Sequence, residues 1–276
     1  MSIHKLELKA ANLRKKIWEL IYEHNTGHTG SDFSCVDILV ALYYETMNQN
    51  PKNFKEKDTD TYIQSKGHAV EVLYEVLADR GYFPESDLKS FSAFNSPYIG
   101  HPTNHVNGIE VNTGSLGHGL GLGVGIALAA KMDKSSKRVF VLMGDGEQAE
   151  GSIWEAAMSA GNYKLDNLTA IIDHNNLQIT GSTDDVMQSN PLASKYAAFG
   201  FEVTEIDGND MTALVKVLNM SNTSTKPRLI IANTIKGKGI SFMENVAKWH
   251  HGVPTQEQFE LGMKELNKKL EELNND

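Results

Sequence analysis

Apolar positions divide this chain into alternating helices and strands. Leu6, Ala10, Leu13, Ile17, Leu20 and Ile21 recur at three- and four-residue steps, which predicts an amphipathic helix over the first 25 residues. Residues 35–47 predict a second, apolar helix, residues 60–65 a short strand, and the stretch ending at Leu77 a third helix. Residues 84–98 read as irregular with one short helix. Glycines 119, 121, 123 and 125 sit in a small-residue segment that continues to Ala130. Each glycine inside a helix costs about 1 kcal/mol relative to alanine. These glycines therefore predict close packing against a neighbouring helix, within the chain or across a subunit interface.

The stretch from 139 to 181 organises the rest. Residues 138–143 are an apolar run of strand character that stops at Gly144-Asp145-Gly146. A helix follows, with Ser152 and Glu155 spaced as a capping box and Ile153, Trp154, Ala157 and Ala160 at helical spacing. Residues 168–172 form the next strand, ending in Asp173-His174-Asn175-Asn176. Two strands joined by a helix make a right-handed unit with parallel pairing. Asp145 and Asn175 then share the carboxyl edge of one sheet, where α/β proteins bind ligands. A carboxylate and an amide oxygen there suit Mg²⁺ or Ca²⁺ that also takes phosphate oxygens, and the glycines beside Asp145 allow close approach of a diphosphate.

Further strands at 201–206 and 228–234 extend the sheet, and residues 256–276 predict a closing helix with Phe259, Met263, Leu266 and Leu270 on one face. The fold class expected is α/β, a parallel sheet flanked by helices, in a single domain spanning 1–276. No repeat, low-complexity segment or linker interrupts it.

Charge narrows the ligands. The formal net charge of −9 argues against nucleic acid and against an anionic membrane surface, so any phosphate site is local. Cys35 is the only cysteine, which excludes an intrachain disulfide and a cysteine zinc cluster and fits a reducing cytoplasm. Lys5, Glu7, Lys9, Arg14 and Lys15 break up the amino terminus, so no secretory or membrane-spanning segment is expected.

Histidines recur at the turns. His28 lies in Thr26-Gly27-His28-Thr29-Gly30-Ser31, where Ser31 can cap the following helix. His68 lies in Lys66-Gly67-His68-Ala69, and His101 in Gly100-His101-Pro102. Gly114, Ser115 and Leu116 precede the glycine-rich helix, where backbone atoms are free to contact a ligand. Lys236, in Lys236-Gly237-Lys238-Gly239 after a strand, suits a phosphate. His250 and His251 are adjacent, and no further ligand stands at zinc-like spacing.

Asn175 follows Asp145 by 30 residues, and Gly-Asp-Gly with Asn-Asn at this distance resembles the thiamine diphosphate motif. Together with Gly-His-Thr-Gly-Ser at 27–31, Ser-Lys-Gly-His-Ala at 65–69, Gly-His-Pro at 100–102 and Thr-Gly-Ser-Leu-Gly-His-Gly at 113–119, the chain resembles the amino-terminal domain of transketolase. Gly-Asp-Gly-Glu at 144–147, Lys-Gly-Lys-Gly at 236–239 and His-His-Gly at 250–252 extend the likeness.

That resemblance implies the diphosphate-binding fold and a set of roles. Asp145, Asn175 and the Leu177 carbonyl would hold Mg²⁺ (or Ca²⁺), with Gly146 and Glu147 beside the diphosphate. Ser31, Gly114, Ser115 and Leu116 would touch thiamine diphosphate, and His68 and Lys236 would reach its phosphate end. His28, His101 and His251 would bind ketose hydroxyls and move protons, as neutral imidazoles near their ordinary pKa. The family pattern more often has one histidine before the last glycine, and His251 is taken for that role over His250. Family members of the usual kind carry a pyrimidine-binding and a further carboxyl-terminal domain, where the glutamate that activates the cofactor resides. The resemblance thus implies the amino-terminal subunit of a split transketolase, acting on sugar phosphates with a separately encoded partner in a dimer of heterodimers. A related enzyme with another sugar, or a non-catalytic cofactor-binding homologue, are the alternatives.

Overall fold

Strand β2 (Val139–Gly144) turns Phe140 and Leu142 to one side and Val139, Val141 and Met143 to the other, all buried. Burial on both faces explains why this segment and β3 (Leu168–His174) read as continuous apolar runs. They belong to a five-stranded sheet with β1 (Thr61–Gln64), β4 (Glu202–Asp207) and β5 (Arg228–Asn233), in the order β1-β2-β3-β5-β4. Every neighbouring pair is parallel. The computed structural model describes residues 1–275; Asp276, assigned by the sequence to the closing helix and to the end of the domain, lies outside them.

Helices cover both faces. On one side lie α1 (Ile3–His24), α2 (Thr29–Ala41) and α3 (Val70–Asp79), whose buried residues join Phe140, Leu142 and Ile171 in one core. On the other lie α4 (Gly119–Met132) and α5 (Gly151–Asn162), packed on Val141, Ala170 and Ile172. Three short helices follow: α6 (Thr183–Val186), α7 (Leu192–Ala198) and α8 (Met211–Leu218). Helix α9 (Gln256–Asn275) closes the chain against α1, where Phe259 stacks on Tyr22 at a 4.0 Å ring separation. Among the described residues no helix is long and apolar enough to cross a membrane.

Three local expectations need correction. The second helix begins at Thr29, not residue 35, so Ser31 lies inside its buried first turn and caps nothing. Glycine is required there, since a Cβ on Gly30 would stand 2.8 Å from the Trp249 carbonyl oxygen. The α5 capping box does not form: Ser152 Oγ donates instead to the Gly117 carbonyl at 2.9 Å. Finally, the glycines of α4 alternate in use, and the neighbour they approach is a strand rather than another helix. A Cβ on Gly119 or Gly123 would collide with Ser65 or Val141, whereas Gly121 and Gly125 meet nothing within 4 Å.

Candidate functional site

In the β2/β3 pair, Gly144 lies opposite Asp173, so the turns after both strands open at one edge of the sheet. A cavity of about 380 Å³ lies there, lined by His28, Ser31, Lys66, His68, Gly114, Leu116 and the 144–147 turn on one side. Asn175, Leu177, Lys236 and His250 complete it. Ser115 is exposed beside this lining, and His101 lies just behind it.

The oxygen donors expected of a metal site are present. Asp145 is 3% exposed; its Oδ1 accepts the Gly146 N–H at 2.8 Å and its Oδ2 the Asn176 N–H at 2.5 Å. Burial, followed by the charge of Asp173, raises its carboxyl above the usual carboxylate range. A buried carboxylate of this kind, with the Asn175 amide oxygen and the Leu177 carbonyl near it, is a donor set for a hard divalent cation that takes its remaining ligands from phosphate and water. No cluster of three or more His, Cys, Asp or Glu side chains suited to a metal occurs among the described residues, so amide, carbonyl and ligand oxygens would have to complete the shell.

The cationic wall is more specific. Lys236 is 1% exposed, and its Nζ contacts His250 Nδ1 at 3.0 Å and the Leu177 carbonyl at 3.4 Å, with no carboxylate on it. Burial, then the charge of Lys66, lowers its pKa to about 8. An unpaired ammonium buried in a polar cavity is an anion site. Lys66, by contrast, is paired: its Nζ bonds Asp173 and the Ser31 carbonyl, the latter at 2.9 Å. Burial alone would lower the Lys66 pKa, but Asp173 outweighs it and holds it above the ordinary value. Asp173 also accepts hydrogen bonds from Ser34 and Thr234. Sequence reasoning passed over Lys66 and Asp173; the signal available was a lysine directly after a buried strand, which needs a buried partner.

Glu147, expected beside the diphosphate, lines the cavity with its carboxyl already engaged by neighbouring turns. Its carboxyl accepts the Gly117 N–H at 2.8 Å, the Gly144 N–H at 3.0 Å and the Ser65 hydroxyl. It ties three cavity segments together.

Five histidine rings converge. The His28 ring lies 5.2 Å from His68, 6.3 Å from His101, 5.7 Å from His250 and 4.6 Å from His251. Gly114 makes room for His101, since a Cβ there would stand 2.7 Å from its ring. The doublet divides. The one-turn helix Ala247–His251 buries Trp249, directs His250 into the cavity against Lys236, and leaves His251 exposed beside His28. Of the two, His250 lines the cavity and His251 stands at its rim beside His28. These rings also depart from ordinary titration: burial, then His251, lowers His28 to about 4, and burial, then Lys236, lowers His250 to about 3. Burial lowers His101 as well, and burial with Lys66 drives His68 well down. Four of the imidazoles are thus neutral at neutral pH, first because they are buried and, for His28, His68 and His250, also because cations and other rings stand beside them.

A parallel sheet with a polar cavity of about 380 Å³ at its carboxyl edge, holding an unpaired lysine, has the layout of a ligand-binding α/β domain. The chain belongs to the family described as "Transketolase, thiamine diphosphate binding domain", which it matches over residues 7–270. It is 47% identical over 274 residues to an apulose-4-phosphate transketolase subunit from Phocaeicola vulgatus, covering 99% of this chain and 98% of that one. The 6-deoxy-6-sulfo-D-fructose transketolase subunit SqwG of Clostridium sp. is 38% identical over 269 residues, covering 96% and 97%. Among solved structures, transketolase from Campylobacter jejuni superposes with a TM-score of 0.87 at 31% identity; all of this chain matches 48% of that one. The chain thus spans nearly all of the two subunits and about half of the solved transketolase.

Proposed function

We propose that this chain is the amino-terminal subunit of a split transketolase, which transfers a two-carbon ketol unit between sugar phosphates together with a partner chain. The convergence of five histidine rings at a cavity that also holds the unpaired Lys236 carries this reading. A protein that merely held the cofactor would need the cations and glycines but not the histidines. Support for a partner comes from the subunits that this chain matches along nearly their whole length.

The residues present fit thiamine diphosphate and a divalent cation. Asp145, the Asn175 amide oxygen and the Leu177 carbonyl would hold Mg²⁺ or Ca²⁺, and the Gly146 backbone would admit the diphosphate. Lys236, His68 and His250 would face its phosphate end, while Ser31 and the backbone of Gly114, Ser115 and Leu116 would line the cofactor's path. When bound, the cofactor supplies the electron sink that lets the ketol unit leave a ketose and join an aldose.

The substrate side falls to His28, His101 and His251. A neutral imidazole offers one donor and one acceptor, so these rings orient hydroxyls and pass protons between them. Glu147 holds the turns in place without touching the reacting atoms. The lowered imidazole pKa values describe the cavity without its anion; a bound diphosphate raises them by reciprocal linkage.

The test is transketolase activity, with thiamine diphosphate and Mg²⁺, of this chain alone and after mixing with the product of the adjacent reading frame. Activity on mixing only is the expected result, and activity from this chain alone would overturn the split-enzyme reading. Cofactor binding without turnover of any ketose phosphate would support a non-catalytic homologue. In the isolated chain, Asp145→Ala should abolish Mg²⁺-dependent cofactor binding, and undiminished affinity would refute the metal assignment.

A further inference from the structure

Asp32 and Glu71 are buried at 0% and 1% exposure, and the reaction described above uses neither. Each reaches the start of the other's helix. Asp32, in the first turn of α2, accepts the Val72 N–H of α3 on Oδ1 at 3.0 Å. Glu71, in the first turn of α3, lies close to the backbone N–H of His28, the residue that starts α2. Gly27 leaves the space for this, since a Cβ there would stand 3.1 Å from Glu71 Oε1 and 2.6 Å from Ile21 Cγ1.

The two carboxyls also meet each other, within side-chain hydrogen-bonding reach. Yet Asp32 Oδ2 and Glu71 Oε2 are fully enclosed and no hydrogen-bond donor reaches either. The cation that acts on Asp32, Lys66, is already paired with Asp173. Two ionised carboxylates in contact without a donor or countercharge would carry a heavy desolvation and repulsion cost. One proton between the two orphaned oxygens removes it, turning repulsion into a short charge-assisted hydrogen bond. Burial acts in the same direction, raising both carboxyls well above the carboxylate range.

We propose that Asp32 and Glu71 hold one proton in common and that this protonated pair is a positioning device for the histidine wall, fixing His28 at the start of α2 against His68 just ahead of α3. The proposal rests on the reading that His28 and His68 face the ligand. The pair acts through backbone groups: Glu71 lies against the His28 N–H, and Asp32 holds the turn of α3 that follows His68. Ring separation between the two histidines is set by how closely these helix starts are drawn together.

The experiment uses D32N, E71Q and E71L in the full chain. An amide in either position supplies permanently the hydrogen that the shared proton supplies, at the same total charge, while leucine supplies none. Imidazole titration by NMR reads His28 and His68 in the isolated chain, so the outcome does not depend on transketolase activity. D32N and E71Q are expected to keep the wild-type melting temperature and the low His28 titration. E71L is expected to move His28 at least one pH unit toward free histidine and, in the assembled enzyme, to lower kcat more than tenfold with a smaller change in cofactor affinity. Amide variants that unfold, or that move His28 as far as E71L, would overturn the shared proton. An E71L chain with unmoved histidines would overturn the positioning role. If E71L fails to fold, the amide variants still decide the first point, and E71M, which keeps length without a polar atom, decides the second. An inactive assembly whose variants titrate as expected would refute the transketolase reading alone.

Discussion

Lys236 Nζ and His250 Nδ1 stand 3.0 Å apart in the cavity, a buried ammonium hydrogen-bonded to a neutral ring instead of to a carboxylate. Lys236 lowers the readiness of His250 to carry charge while burial and Lys66 lower its own, and an entering anion relieves both.

Lys236→Met should therefore separate stability from binding. Removing an unpaired buried charge should leave the melting temperature unchanged or raised, while pyrophosphate affinity falls about 10- to 100-fold, the range for lost hydrogen bonds to a charged group. Calorimetric titration and a thermal melt check it; a chain that loses stability together with affinity would show that the lysine is structural.

The same lysine sets a pH dependence. Its folded pKa, about 8, lies below the unfolded value, so the folded chain sheds this proton first and its stability rises as pH climbs from about 8 toward 10. Anion binding requires the protonated form, so pyrophosphate affinity should fall up to tenfold per pH unit over that window. Stability and affinity thus move in opposite directions above pH 8, and Lys236→Met should abolish both slopes.

The histidine doublet is separable. His250→Ala should weaken pyrophosphate binding in the isolated chain, and His251→Ala should leave it unchanged while lowering turnover of the assembled enzyme. Equal effects of both on pyrophosphate would place both rings on the phosphate side.

The Lys66–Asp173 pair is buried on both sides. Lys66→Met should cost about 3–5 kcal/mol by leaving Asp173 uncompensated, and Lys66→Met with Asp173→Asn should recover part of it. Denaturant unfolding measures both, and a double variant no more stable than the single would mean that Asp173 keeps its charge satisfied through Ser34 and Thr234 alone.

Alternate glycines of α4 make opposite predictions. Gly123→Ala forces a Cβ to 2.5 Å from Val141 Cγ2 and should destabilise the chain. Gly121→Ala meets open space and should stabilise it by about 0.5–1 kcal/mol through helix propensity. If a partner chain covers that face, Gly121→Ala should also weaken assembly, measurable as a higher dissociation constant on mixing.

Much of this was legible from local pattern. Val139 to Met143 announced a buried strand because both faces are apolar, and Gly144-Asp145-Gly146 marked the end where a ligand can approach. Helix starts were harder. Ser31 and Ser152 both have the composition of caps, but tertiary contacts took them: Ser31 lies inside α2, and Ser152 donates to Gly117. The choice between His250 and His251 was invisible for a different reason. Which of two adjacent rings faces inward depends on a one-turn helix anchored by Trp249, a packing event that sequence spacing does not encode. The Asp32–Glu71 pair was hidden too, since residues 39 apart meet only once α2 and α3 are docked.

The approach of Gly30 to the Trp249 carbonyl reaches beyond packing. It belongs to a clasp in which Thr29 bonds Gly252, a residue 223 positions away, and Gly237 bonds Gly30 at 3.0 Å. The wall carrying His250 and His251 is therefore fastened to the helix carrying His28 by a handful of contacts, while the sheet beneath is held by its whole hydrogen-bonded ladder. Such a segment opens at lower free energy than the body of the fold. Amide exchange should find residues 247–252 exchanging well ahead of β2 and β3, and a bound anion bridging Lys236 to the opposite wall should slow it. Ligand residence would then be governed by the unfastening of one short turn, with no domain hinge involved.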